Sequence, residues 1–429
     1  MNQSKQVMET SQSVQSEQKK KGFLSTIKQI GPGMLVAGAF IGTGTITTST
    51  VAGTNHGYTL LWASVTLAVI MTIILQEMAA RLSLSTGLSL AELIREKLGL
   101  WASIIAVLAI VGGNSIYSVG NLAGVDLALG ELISGVPGVA WMFIVTLIYW
   151  GLLMIGKFSL IEKTITALVI LMGLTFLINM FYVEPDYSKV LVGLTVPKFE
   201  ITDTMLVLGL IGTTVVPYNL YLHSSAVVEK KWHKQPKEHL KVMRIDTIFP
   251  IFIGGIVTMA VGVVAATVLN PLHIAEGLEI QGAKDMALTI QPFLGNAAYA
   301  LFSIGLFAAA ISSMPMAALS AAYVFTESFG LSSDMKSLPF RIVFSIVAWV
   351  PFIFAAGLTN PVWTIILAQT VNGMLLPITA IAILYLINKK GVVGEFRNKI
   401  ITNVLGCIAV GFAVYLGILN ILNSLGIMS

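Results

Sequence analysis

Gly209-Leu-Ile-Gly-Thr-Thr-Val-Val-Pro-Tyr-Asn-Leu-Tyr-Leu-His-Ser-Ser225 is the stretch on which the fold turns. It is apolar enough to enter a bilayer, yet Pro217 removes a backbone donor and clashes with the turn before it. Backbone that leaves the helical ladder at membrane depth is tolerated only where it is buried in protein or lines a cavity. A second stretch shares this character: Gly31-Pro-Gly-Met-Leu-Val-Ala-Gly-Ala-Phe-Ile-Gly-Thr-Gly-Thr-Ile-Thr-Thr-Ser-Thr50. There Gly42 and Gly44 flank Thr43 in mid-span, and six hydroxyl residues crowd positions 43–50. Taken singly, each stretch reads more readily as close helix packing at glycine or a plain proline kink. Two of them, in the first and sixth apolar spans and both rich in hydroxyl and amide groups, predict a carrier. Its two five-helix repeats have opposite topology, and its substrate sits at the midplane between two unwound helices.

Working outward, the chain has 429 residues, 56% hydrophobic and 11% charged, with mean hydropathy +0.86. A soluble domain carries roughly a quarter charged residues, so a soluble enzyme, a disordered chain and a disulfide-stapled module are excluded. Cys407 has no partner for an internal disulfide, and no Cys/His cluster is spaced to hold zinc. No phosphate-binding loop or nucleophile constellation is present; neither ATP-driven transport nor enzymatic activity is expected, and no cofactor. A hydrocarbon core of about 30 Å needs roughly 20 apolar residues per helix. Eleven such spans are predicted, near 31–53, 58–82, 101–133, 139–155, 161–182, 202–228, 245–269, 297–326, 339–358, 361–388 and 400–423. The third is long enough to include a re-entrant or interfacial end. Residues 1–22 are polar and end in Lys19-Lys20-Lys21, which predicts a disordered cytosolic tail. Residues 23–429 then form one transmembrane domain, with repeats at about 31–182 and 202–388 and an extra helix at 400–423.

Orientation follows from the basic residues. With the tail inside, all of the 25 Lys and Arg fall on the cytosolic side except Lys189, Lys198 and Lys284. This predicts a multi-pass protein of the plasma (inner) membrane, N-terminus cytoplasmic and C-terminus extracytoplasmic. The basic 230–244 loop reads as a topogenic surface against lipid headgroups. No aromatic platform accompanies it, so nucleic acid is not an expected partner. The expected partners are the lipid bilayer and a transported small solute or ion; nothing in the sequence sets the oligomeric state.

The same stretches carry a resemblance to the Nramp family (natural resistance-associated macrophage protein) of divalent-metal transporters, from about residue 28 to 424. It rests on Gly31-Pro-Gly, Gly57-Tyr-Thr-Leu-Leu-Trp62, Leu75-Gln-Glu-Met-Ala-Ala-Arg-Leu82, Thr86-Gly-Leu-Ser-Leu-Ala-Glu92, Asn219-Leu-Tyr-Leu-His-Ser-Ser225 and Ser312-Ser313, in order and at family-like spacing. The resemblance implies an all-α, leucine-transporter-like fold of eleven helices, with helices 1 and 6 unwound at the midplane. The family's ligand residues are not carried over. Where the family reads Asp-Pro-Gly-Asn in its first helix, this chain has Gly42-Thr43-Gly44-Thr45; where it reads Met-Pro-His-Asn in its sixth, this chain has Val216-Pro217-Tyr218-Asn219. The Asp, Asn and Met ligands thus correspond to Gly42, Thr45 and Val216, and the histidine to Tyr218. Third-span carboxylates associated with proton movement correspond to Asn121 and Gly124, whereas His223 and Gln369 match family positions.

Physically, a bare divalent ion leaving water must recover a large hydration energy from charged or close ligands, and thioether sulfur favours transition metals. Gly42 and Val216 supply neither. What remains is neutral: Thr43, Thr45, Thr213, Tyr218, Asn219, Gln369, Asn372 and carbonyls freed by the unwound turns. Such a site suits a partly hydrated divalent cation such as Mg, with weak or absent proton coupling. The alternative is a small neutral or zwitterionic organic solute, its charged ends met by half-helix dipoles. A non-transporting protein that retains the fold is a third possibility. Asp126, inside the third span, and His223, in the inner half of the sixth, are pathway candidates, each weighed against an ordinary packing or interface role. Glu77 and Arg81, four apart, read as a structural ion pair, and Asp246 and Glu327 as polar residues near span ends.

Overall fold

A computed structural model describes residues 41–130, 132–133, 135–155, 159–425 and 427, without the side chains of 159–163 and 424. The expected tail, the Gly31-Pro-Gly opening and the first half of the first span lie outside the described residues. Among the described residues the regular structure is helical, and ten helices are long and apolar enough to cross a membrane. They coincide with the second to eleventh predicted spans, and the first is represented by its second half, α1 (Thr43–His56).

A π-helical turn, Trp62–Leu67, runs into α2 (Ala68–Thr86), which Gly87 ends in the left-handed conformation that glycine adopts at least cost (φ 74°). The short α3 (Leu90–Leu98) starts with a capping box: Glu92 N–H donates to Ser89 Oγ and Ser89 N–H to Glu92 Oε2. The third span, α4 (Leu100–Leu129), is one continuous helix without a re-entrant end. Then come α5 (Gly138–Ile155) and α6 (Ser159–Tyr182). The outer-loop helix Tyr187–Thr195 is capped by Asp186, whose carboxylate accepts from the Ser188 and Lys189 N–H groups. Those bonds hold its pKa below the usual carboxylate value.

The sixth span is two helices, α7 (Thr204–Thr214) and α8 (Pro217–Glu229), separated by Val215 and Val216 with ψ of 65° and 118°. Pro217 at the first helical position lacks an N–H that would be unpaired there in any case. Next is α9 (Pro236–Glu276), whose 41 residues make it about twice as long as a bilayer core requires. It therefore carries the segment expected to be a basic loop as its own first turns. The bundle closes with α10 (Ala298–Phe329), α11 (Leu338–Ala355), α12 (Pro361–Asn388) and α13 (Ile400–Ser424).

The packing has the pairing of an internal repeat. The first span packs on the seventh as the sixth packs on the second; the third crosses the eighth; the fourth lies on the third as the ninth lies on the eighth. An odd number of helices per repeat inverts the second copy, which brings both interrupted helices to the centre. Small residues allow the closest approaches. At the crossing of α7 and α12, a Cβ on Gly212 would run into the Gln369 carbonyl and the Gly373 N–H, while one on Gly112, facing outward from α4, would meet nothing. Gly212→Ala is therefore expected to cost about 1–3 kcal/mol, as overpacking of a tight contact does. Thermal unfolding in detergent should show the loss for Gly212→Ala and no loss for Gly112→Ala.

Candidate functional site

The start of α1 and the break of the sixth span meet at the centre of the bundle. Gly42 is extended (φ −89°, ψ 175°) and α1 begins at Thr43, with no side-chain cap on its free N–H groups. Of the expected break at 42–45 only Gly42 is extended, and the backbone before Ile41 lies outside the described residues. Gly44 and Thr45 belong to the first helical turn, where Gly44 serves another purpose: a Cβ there would collide with the Gln369 amide. The bare glycine lets α12 bring that amide onto the start of α1.

Hydroxyl and amide side chains tie the pieces together. Thr43 Oγ1 donates to Asn121 Oδ1 at 2.8 Å, and Asn121 Nδ2 donates back to the Tyr117 carbonyl of its own helix. Gly124, one turn further along α4, leaves just enough room for the Thr43 side chain. The two positions that correspond to family carboxylates are therefore both in contact with Thr43, but as an amide and a bare backbone. Thr45 Oγ1 lies 3.1 Å from Thr213 Oγ1, linking α1 to the end of α7. Thr214, the last residue of α7, has its carbonyl met by Thr72 Oγ1 from α2 at 3.3 Å. Across the break, Ser320 on α10 donates to the Tyr218 carbonyl at 3.2 Å. The Tyr218 ring stands edge-on to Tyr117, centroids 5.4 Å apart.

Thr43, Thr45, Thr213, Tyr218, Asn219, Gln369 and Asn372 are all at most 3% exposed. Within this shell both polar atoms of Asn219, both of Gln369 and the Nδ2 of Asn372 meet no hydrogen-bond partner among the described residues. Buried polar groups are normally paired, so these atoms are the ones available to a bound solute or its water shell. Gln369 faces Gly44 and Gly120, whereas Asn372, one turn on, faces Gly113 and so sits nearer the basic face. Val216 is the extended residue before α8 and offers its backbone, the side chain being an aliphatic wall. No cluster of three His, Cys, Asp or Glu side chains suited to a metal ion occurs among the described residues.

Asp246 departs from expectation, whereas Asp126 takes up the packing or interface role weighed for it. Asp126 lies away from this shell, its carboxylate packed where a Cβ on Gly138, the first residue of α5, would have to go. That fits the start of a helix, which favours negative charge, and not a step along a central pathway. Asp246 is not an interface residue. Because α9 begins at Pro236, Asp246 is well inside the helix, fully buried, with Oδ2 3.5 Å from Nε2 of the equally buried His223. The lone histidine is thus one half of an acid–base pair, one turn along α8 from Asn219.

The ends of the interrupted helices are clamped at both faces. On the basic face, Ser224 Oγ lies 2.6 Å from Ser83 Oγ and accepts from the Leu90 N–H, while Glu327 accepts from Ser89 and Ser225. On the other face Asn270 donates to the Thr54 carbonyl, and His56 lies 3.5 Å from Asp203. Tyr117, Thr72 and Ser320 were not singled out from sequence. Only Tyr117 carried a signal, being four residues before Asn121 on one face of α4.

Comparison with known proteins agrees with this geometry. A family model described as natural resistance-associated macrophage protein-like matches residues 33–423. The chain is 27% identical to the divalent metal cation transporter MntH of Verminephrobacter eiseniae, the match covering 96% of this chain and 92% of the relative. It is 28% identical to the protein of the same name from Bacillus subtilis, covering 91% of each. Among solved structures, a manganese transporter of Eremococcus coleocola superposes with a TM-score of 0.75 at 20% identity, over 92% of this chain and 86% of that one. With the family model spanning nearly the whole membrane domain, the chain belongs to the Nramp family.

Proposed function

We propose that the protein is a secondary transporter that moves a divalent metal cation across the membrane by alternating access around the two interrupted helices. The cation, Mg foremost, keeps part of its water shell, and proton coupling is weak or absent. The observation that carries this reading is the buried shell of unpaired amides, Asn219 and Gln369, placed between the start of α1 and the break of α7 and α8 in a family whose relatives are named divalent metal cation transporters. Neutral oxygens fit the outer faces of coordinated waters. They lack the charge to strip a divalent ion of its hydration, and no sulfur favours a transition metal. Carbonyls at the C-terminal end of α7 add partial negative charge where a cation would stand.

Weak proton coupling is supported by the makeup of the shell, whose side chains carry no carboxylate or imidazole. The His223–Asp246 pair is the nearest acid–base group and lies one turn away along α8.

A second reading has its own support. The first turns of α1 and α8 both start in the shell without side-chain caps, and helix N-termini favour negative charge. A carboxylate of a small zwitterionic solute would suit those ends, with Asn219 and Gln369 reading its polar groups.

Flux into proteoliposomes separates the two. On the first reading Mg uptake is saturable and Asn219→Ala lowers it by about tenfold, the equivalent of one lost ligand. Saturable uptake of an amino acid, indifferent to divalent ions, would establish the second. The double change Gly42→Asp with Val216→Met should bring measurable Mn binding by calorimetry, since it restores an anionic and a thioether ligand. Vesicles carrying a trapped pH dye should show no proton flux in step with Mg uptake; a proportional pH change would overturn the uncoupled mechanism.

A further inference from the structure

A cleft of about 800 Å³ opens on the basic face between α2, α9 and the start of α13, far from the central shell. Five cationic side chains line it, Arg81, Lys237, Arg244, Arg397 and Lys399, against two carboxylates, Glu77 and Glu395. Arg81 is 5% exposed and fully engaged. It makes two bonds to Glu77 Oε2, one to the Phe396 carbonyl and one to Asn398 Oδ1. That network is the rigid floor. Glu77 also takes the Nε of Arg244 at 2.9 Å, which fixes the Arg244 stem and leaves its outer nitrogens for something else. Lys237 is held by Glu395. The ion pairs around the cleft involve neither Arg397 nor Lys399, both of which are exposed.

Surplus positive charge fixed around a cavity calls for an anion, and the geometry of Arg favours phosphate. The start of α13 adds to it, since Lys399 is its cap residue and no side chain caps the first N–H groups. The walls show which phosphate. Ile73, Leu240 and Ile248 are among the residues that line the cleft. From Ile248 one face of α9 continues to Phe252, 55% exposed, and from Thr402 α13 continues to Leu405, 41% exposed. These are apolar surfaces leading from the charged mouth into the hydrocarbon region, the shape of a headgroup site with its acyl chains.

We propose that this cleft is a specific site for an anionic phospholipid, its phosphodiester held by Arg244, Arg397 and Lys399 on a floor built by Arg81 and Glu77. The test uses the full chain in nanodiscs of equal phosphatidylglycerol and phosphatidylcholine, extracted gently so that retained lipid can be counted by mass spectrometry. Phosphatidylglycerol should be enriched over bulk by about fivefold or more. The triple change R244Q, R397Q and K399Q should return the ratio to bulk, with elution volume and melting temperature unchanged because Arg81 and Glu77 remain. A control of equal charge loss on the same face, K234Q with K336Q and K390Q, should keep the enrichment. Retention unaffected by the cleft variant, or lowered equally by the control, would overturn the site in favour of diffuse surface attraction. Calorimetric binding of glycerol phosphate in pure phosphatidylcholine discs, lost in the cleft variant, would overturn the lipid and make this a soluble phosphate site.

Discussion

Inside a bilayer a backbone N–H or C=O without a partner costs several kcal/mol, and the architecture of this protein is organised around meeting that cost at the break of the sixth span. Where α7 stops and α8 starts, the carbonyls and N–H groups of residues around 215–216 leave the ladder. Hydroxyls from other helices gather beside them: Thr72 reaches the Thr214 carbonyl and Ser320 the Tyr218 carbonyl, while the Thr45 hydroxyl meets that of Thr213. Each comes from a different span. The interruption is stable only because α1, α2 and α10 surround it, and the inverted packing of the repeats is what brings them there.

A consequence is that the centre is densely polar while carrying no ion pair. Thr43 is anchored by Asn121, and Gly124 and Gly44 give up their side chains so that Thr43 and Gln369 can enter. Charge is held instead one turn inward, in the His223–Asp246 pair, and at the two faces. Members of the family with a carboxylate at the position of Gly42 would hold a cation directly; here the same backbone frame presents amide oxygens and nitrogens.

Much of this was legible from residues alone. Pro217 after a run of apolar residues marked the break to within a residue, since proline cannot follow an unbroken turn. The second to eleventh spans followed from length and hydropathy. Asp246 was misjudged because a membrane helix was assumed to end near the bilayer surface, whereas α9 runs on for several turns through its basic segment. For Asp126 the sequence shows that a charge lies in an apolar stretch but not that the first residue of α5, Gly138, lies opposite it.

The sequence by itself determined ten of the apolar spans and the place of the sixth-helix break, because these depend on local composition and on proline sterics. Only the tertiary structure decided which polar groups are left unpaired, that His223 meets Asp246, and that Arg244 from one helix joins Arg397 and Lys399 from another. Such pairings depend on side chains brought together from positions 23 to more than 300 residues apart, and hydrophobic periodicity carries no information about that distance in space.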